Sequence, residues 1–199
     1  MDKGILGIFL RFTAVLAAST VLAIATYFFL APKPGLLFPN SDFELGTLEN
    51  WRNEGAAFMN QPTLGDNAAP RHKPLGKTIQ GSYWIGTFEN RPSGDVEAGA
   101  TQGDAPQGRL TSIPFTITRA VIAFSAGAGG GTPQTSVNLL VDERAVLTES
   151  PAASPEGQEA LRPVRWNTTE WLGKKARIQI KDESSGPGGH INADGFRYE

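Results

Sequence analysis

The chain has 199 residues, 40% of them hydrophobic and 19% charged, with a formal net charge of −2. That size and balance suit one folded domain with a short appendage and argue against wholesale disorder. A mildly acidic chain has no basic footprint for nucleic acid, and the absence of cysteine excludes disulfides, Cys-ligated zinc, iron–sulfur clusters and thiol catalysis.

Residues 12–31 (FTAVLAASTVLAIATYFFLA) contain no charge. A bilayer core about 30 Å thick needs about 20 such residues, so the segment is expected to be an uncleaved transmembrane helix. Tyr27, Phe28 and Phe29 sit at its outer end, and Pro32 and Pro34 end it. Lys3 and Arg11 precede the span and Lys33 follows it, which favours an inside N-terminus and a periplasmic C-terminal domain on a bacterial inner membrane. Ala14, Ala17, Ala18, Ser19 and Ala25 are small enough to let another helix approach. Cleavage after the small residues Ala23 and Ala25 would leave a poor mature N-terminus.

Residues 32–40 (PKPGLLFPN) are expected to be a Pro/Gly linker, and residues 41–199 the folded domain. Period-2 runs between turn signals predict strands at 82–88, 109–117, 120–126, 136–141, 145–148, 164–166, 176–181 and 191–198. Pro114 marks an edge or bulge in the second of these. Lys175, Arg177, Gln179 and Lys181 alternate with Ala176, Ile178 and Ile180, the pattern of a half-buried strand. Only a turn near residues 169–172 has helical character. Residues 90–107 and 149–161 are expected to be long loops, which either bind ligands or form solvated excursions. The result is two packed antiparallel sheets.

Ordered phrases run through the domain: SDFELGTLENWRNEGAAF at 41–58, GSYWIGTFEN at 81–90, GRLTSIPFTI at 108–117, VNLLVDERAV at 137–146, WLGKKARIQIKD at 171–182 and GHINADGF at 189–196. Together they resemble the galactose-binding-like jelly-roll domain appended to sugar-active enzymes. The resemblance covers nearly all of residues 41–197. It implies an all-β antiparallel jelly-roll sandwich, here behind one N-terminal transmembrane α-helix, and it implies non-catalytic carbohydrate binding. The family's V-D-G turn is departed from at Glu143, which implies a turn tolerant of ordinary residues, or a longer one.

By that resemblance, ligand-binding positions are Glu89, Arg91, His190, Asn192 and Asp194. Glu89 and Asp194 have a competing role in fixing loops through backbone N–H groups. The resemblance also implies a structural calcium held by Asp42, Glu44 and Asp194, since calcium takes several hard oxygen ligands. Trp51 and Trp84 are expected in the core more than on a sugar platform. His72 and His190 have no zinc-site spacing, and no hydrolase, zinc-protease or nucleotide-binding motif occurs. Asn167-Thr168-Thr169 matches a glycosylation sequon by letter.

The leading expectation is a non-catalytic accessory subunit of a larger membrane complex, with integral membrane partners and its sandwich docked on the periplasmic face. A bacterial photosynthetic reaction-centre–light-harvesting assembly is the suspected complex, on chain architecture alone. The alternative is a surface-anchored carbohydrate-binding module.

Overall fold

The computed structural model describes residues 35–152 and 160–199. The expected transmembrane helix and its small residues Ala14, Ala17, Ala18, Ser19 and Ala25 lie outside the described residues. Among the described residues, no helix is long and apolar enough to cross a membrane.

Among the described residues, eleven strands form two antiparallel sheets. They are β1 (Trp51–Gly55), β2 (Thr63–Leu64), β3 (Tyr83–Gly86), β4 (Gly108–Ser112), β5 (Phe115–Thr116), β6 (Val121–Ala128), β7 (Thr135–Val141), β8 (Arg144–Glu149), β9 (Arg162–Asn167), β10 (Lys175–Asp182) and β11 (Ile191–Tyr198). One sheet runs β1-β4-β10-β7-β8, with β5 also paired to β10; the other runs β2-β3-β11-β6-β9. The predicted strand at 109–117 divides into β4 and β5 around Ile113 and Pro114. Proline has no N–H to offer the ladder, so the pairing breaks there. The expected turn is a single 3-10 turn at Thr169–Trp171.

The main core lies between the sheets. β10 turns Ala176, Ile178 and Ile180 inward, and β11 opposes them with Ile191, Ala193 and Phe196. Phe124 stacks on Phe196 at 4.9 Å between centroids, and Trp166 meets Phe124 edge-on at 4.7 Å. Phe43 stacks on Trp51 at 4.9 Å. Each fully buried phenylalanine contributes roughly 1.5–3 kcal/mol relative to exposure.

The segment expected to be a linker is corrected over its described part. Leu37 and Phe38 are buried in this core, and Leu36 bridges to Arg197 of β11. Apolar side chains so close to a sheet edge gain more from burial than prolines lose by interrupting regular structure.

A second, smaller core covers the outer face of the five-stranded sheet. Ala68, Leu75, Trp84 and Leu161 form it, with Ile79 against them. Trp84 therefore packs outside its sheet and is still fully buried, while Trp51 belongs to the main core. Because residues 65–80 lie over β3 and β11, six successive residues of β11 are buried on both faces.

The turn between β7 and β8 differs from expectation. Val141 pairs with Arg144, and Asp142 and Glu143 have φ of 50° and 59°. Positive φ at both central residues defines a tight type I′-like hairpin, whose twist matches the strands it joins. The ladder's geometry thus holds Glu143 in a conformation that glycine would adopt without cost.

Candidate functional site

The residues singled out by sequence sit on or beside the outer face of the five-stranded sheet. His190 directly precedes β11, Asn192 and Asp194 point outward from it, and Glu89 lies over Gly86 of β3, the Cα partner of Asn192. The fold therefore gathers them along one face. It also encloses them: Glu89 is 1% exposed, His190 3%, Asn192 1% and Asp194 0%.

Glu89, Arg91, His190 and Asp194 are engaged in holding loops. Glu89 accepts hydrogen bonds from Arg71 NH2 and Asn67 Nδ2, both at 2.5 Å. Asn67 also donates to Ala100 O and accepts from Gly99 N, while Arg71 donates to Gly99 O. Arg91 donates to Val96 O and Leu64 O. The loop over residues 90–107 is thus stitched to the sandwich, while Asp95, Glu97 and Thr101 on it stay exposed. At its far end Asp104 Oδ1 lies 2.6 Å from His190 Nδ1, and Asp104 Oδ2 accepts the Gly188 N–H. The His190 ring lies flat against Gly129, where any Cβ would come within 2.2 Å of it. Asp182 stands in the same electrostatic neighbourhood, and burial pushes its carboxyl up to about 6.

Two of the three carboxylates named for calcium, Glu44 and Asp194, converge on one strip of backbone. Asp194 Oδ2 accepts the Gln80 N–H at 2.7 Å, and Glu44 accepts the N–H groups of Ser82 and Tyr83 at 2.9–3.0 Å. Asp42 Oδ1 accepts the Glu44 N–H. Asp194 Oδ1 is buried without a hydrogen-bond partner. Burial, with the negative charges of Glu44 and Asp42 added, pushes the Asp194 carboxyl up to about 8. Among the described residues, no three His, Asp or Glu side chains converge as a metal cluster. The strip does offer a buried carboxylate oxygen lacking a donor beside a second carboxylate, a fitting start for a hard cation.

Several clefts reach solvent among the described residues, two of them on the outer faces of the sheets. A groove of about 600 Å³ crosses the outer face of the other sheet near Trp51, Thr111 and Arg177. Its cations are matched by carboxylates, Arg177 by Glu143 and Arg52 by Glu54. The second cleft, of about 290 Å³, opens over β6 and β9 where residues 65–80 stop covering the sheet. Pro163 is the exposed apolar group at its mouth, buried Ala123 and Leu161 form its floor, and Thr78, Gln80 and Ser125 give it hydrogen-bonding groups. Lys77, Arg165, Arg197 and Glu199 rim it. Gln80 separates it from Asp194, donating to Ser125 Oγ and accepting from Arg197 at 2.6 Å. None of these cleft residues other than Asp194 behind it was singled out by sequence, and only the alternation of Pro163 and Arg165 with inward-facing Val164 and Trp166 could have suggested an outward surface on β9.

No family model matches the chain. Over 170 residues the chain is 31% identical to a protein of Aspergillus rugulosus named "Putative glycosyl hydrolase ecdE". The match takes in 82% of this chain and 21% of that protein, so the chain spans about a fifth of its relative's length. Among solved structures, TmCBM61 in complex with β-1,4-galactotriose has a TM-score of 0.48 at 15% identity, covering 81% of this chain and 96% of that one. The K1 cleaved adhesin domain of Lys-gingipain from Porphyromonas gingivalis W83 has a TM-score of 0.43 at 10% identity, covering 75% and 91%.

These findings correct the functional expectation. The match along most of this chain to a protein named as a glycosyl hydrolase overturns the expectation of an accessory subunit of a photosynthetic membrane complex. The expectation of a non-catalytic protein is corrected by the same match.

Proposed function

We propose that this chain is a carbohydrate-recognising β-sandwich, of the galactose-binding-like jelly-roll type, that serves glycoside hydrolysis. The observation that carries this reading is the 31% identity to a named glycosyl hydrolase across 82% of the chain. The small cleft over β6 and β9 supports it physically. Its size is near the lower end of ligand pockets, which run about 300–1,000 Å³. Apolar surface suits the C–H face of a sugar ring, and Thr78, Gln80 and Ser125 suit its hydroxyls. Glu89, His190 and Asn192 are enclosed and do not line this cleft.

Calcium belongs to the same reading. Glu44 and Asp194 would hold the ion, with Asp42 beside them and the remaining oxygens drawn from backbone carbonyls and water. Bound there, calcium would supply positive charge that fastens residues 80–83 to β11, fixing Gln80 as the cleft's back wall.

The test is native gel retardation of the full chain on galactan, arabinan, xylan and polygalacturonate, alongside assay of reducing-sugar release. Retardation by at least one polysaccharide is expected. Mobility unchanged by all four, with no sugar released, overturns the proposal.

A further inference from the structure

The rim of the small cleft runs against the charge of the domain around it. Without Asp2, Lys3, Arg11 and Lys33, the rest of the chain carries a net charge near −4. Yet among the described residues the cleft presents Lys77, Arg165 and Arg197 against one carboxylate, Glu199. The two arginines converge on that carboxylate: Arg165 NH1 pairs with Glu199 Oε2, and Arg197 NH2 lies 3.3 Å from Glu199 Oε1. Glu199 thus marks a position where a carboxylate is held between two guanidinium groups. Lys77 is exposed on the opposite lip. A guanidinium fork recognises carboxylates by geometry as well as by charge, and a lysine adds a mobile point charge.

We propose that this cleft binds glycans bearing carboxylates, a uronic-acid unit being the recognised group. This rests on the carbohydrate-binding reading of the same site. The uronate carboxylate lies between Lys77 and Arg165, exchanging with or sitting beside Glu199. Its ring rests on Pro163, and its hydroxyls face Gln80 and Ser125. Arg197 positions the wall, since it also holds Gln80 Oε1 and Gly195 O. Arg165 is 64% exposed, and its one ion pair among the described residues is with Glu199, so removing it leaves the fold in place.

The test is calorimetric titration of the full chain with three probes: oligogalacturonate, the same oligomer fully methyl-esterified, and neutral β-1,4-galacto-oligosaccharide. Oligogalacturonate is expected to bind about tenfold more tightly than its ester, with affinity falling as salt rises. Lys77→Gln and Arg165→Gln should each erase most of that preference, and Glu199→Gln should increase it. A sulfated galacto-oligosaccharide matching oligogalacturonate would make the recognised group a general anion and overturn the uronate assignment. Equal binding of acid and ester, or a preference unchanged in Lys77→Gln and Arg165→Gln, overturns this proposal and leaves carbohydrate binding standing. Binding of none of the probes, together with no retardation on any polysaccharide, overturns both.

Discussion

Asp194 accepts the Gln80 N–H at 2.7 Å through one carboxylate oxygen, while its other oxygen is buried with no donor. One carboxylate therefore fastens the back wall of the cleft and lacks half of its own solvation. Burial raises its folded-state pKa from 3.8 to about 8. The folded chain then holds a proton that the unfolded chain has released between those values. Stability from this group is full below about pH 4 and is lost as pH rises towards 8. Urea unfolding should show wild type losing on the order of a few kcal/mol relative to Asp194→Asn between pH 5 and pH 8.5. A pH-independent difference between the two proteins would contradict the buried, protonated Asp194.

Calcium should reverse that loss. An ion at Glu44 and Asp194 replaces the proton, so millimolar calcium should raise the melting temperature more at pH 8 than at pH 5. Glu44→Gln and Asp194→Asn should each abolish the increase. Magnesium should do less, because it dehydrates reluctantly and demands octahedral geometry. Identical melting with calcium and with chelator at pH 8 would remove the ion from the account.

Glu143 sits at φ 59° in the two-residue turn between β7 and β8. An L-residue with a side chain costs about 1 kcal/mol there, and glycine does not. The exposed pair with Arg177, at 3.3 Å, offsets little of this. Glu143→Gly is expected to stabilise the domain by about 0.5–1 kcal/mol, read as a shift of the denaturation midpoint with unchanged slope. A lower midpoint would mean that the ion pair matters more than the backbone.

Glu89 was expected at a ligand and lies instead under a loop, paired with Arg71 and Asn67. Glu89→Ala leaves both donors without their carboxylate. Because Arg71 keeps some access to water, the expected cost is about 2 kcal/mol rather than the full penalty of a buried pair. Hydrogen exchange should quicken at Gly99 and Ala100, while glycan affinity at the cleft changes little. Lost glycan binding in a variant of undiminished stability would return Glu89 to the site.

The sequence was most informative where burial is one-sided. β10 shows clean alternation, and its structure follows it residue by residue. β1 was missed because WRNEG has no apolar alternation: it is an edge strand, paired only to β4, with Trp51 alone buried. Leu37 and Phe38 were hidden among prolines and glycines that read as a linker, although they fill the core. Asp194 and Glu89 were picked out by pattern, but their enclosure depends on residues 65–107 folding back over the sheet. No local signal carries that. The cleft was still less legible, because Arg165 and Arg197 come together only when β9, β6 and β11 lie side by side, and Lys77 joins them only when residues 65–80 fold over that sheet.

Hydrogen exchange of the full chain with and without an oligosaccharide that it retains tests the central claim most directly. The account predicts that protection rises at Thr78, Gln80, Ser125 and Arg165, around the small cleft, and stays unchanged across the large groove near Thr111 and Arg177. Protection confined to that groove, or no change at saturating oligosaccharide, would contradict it.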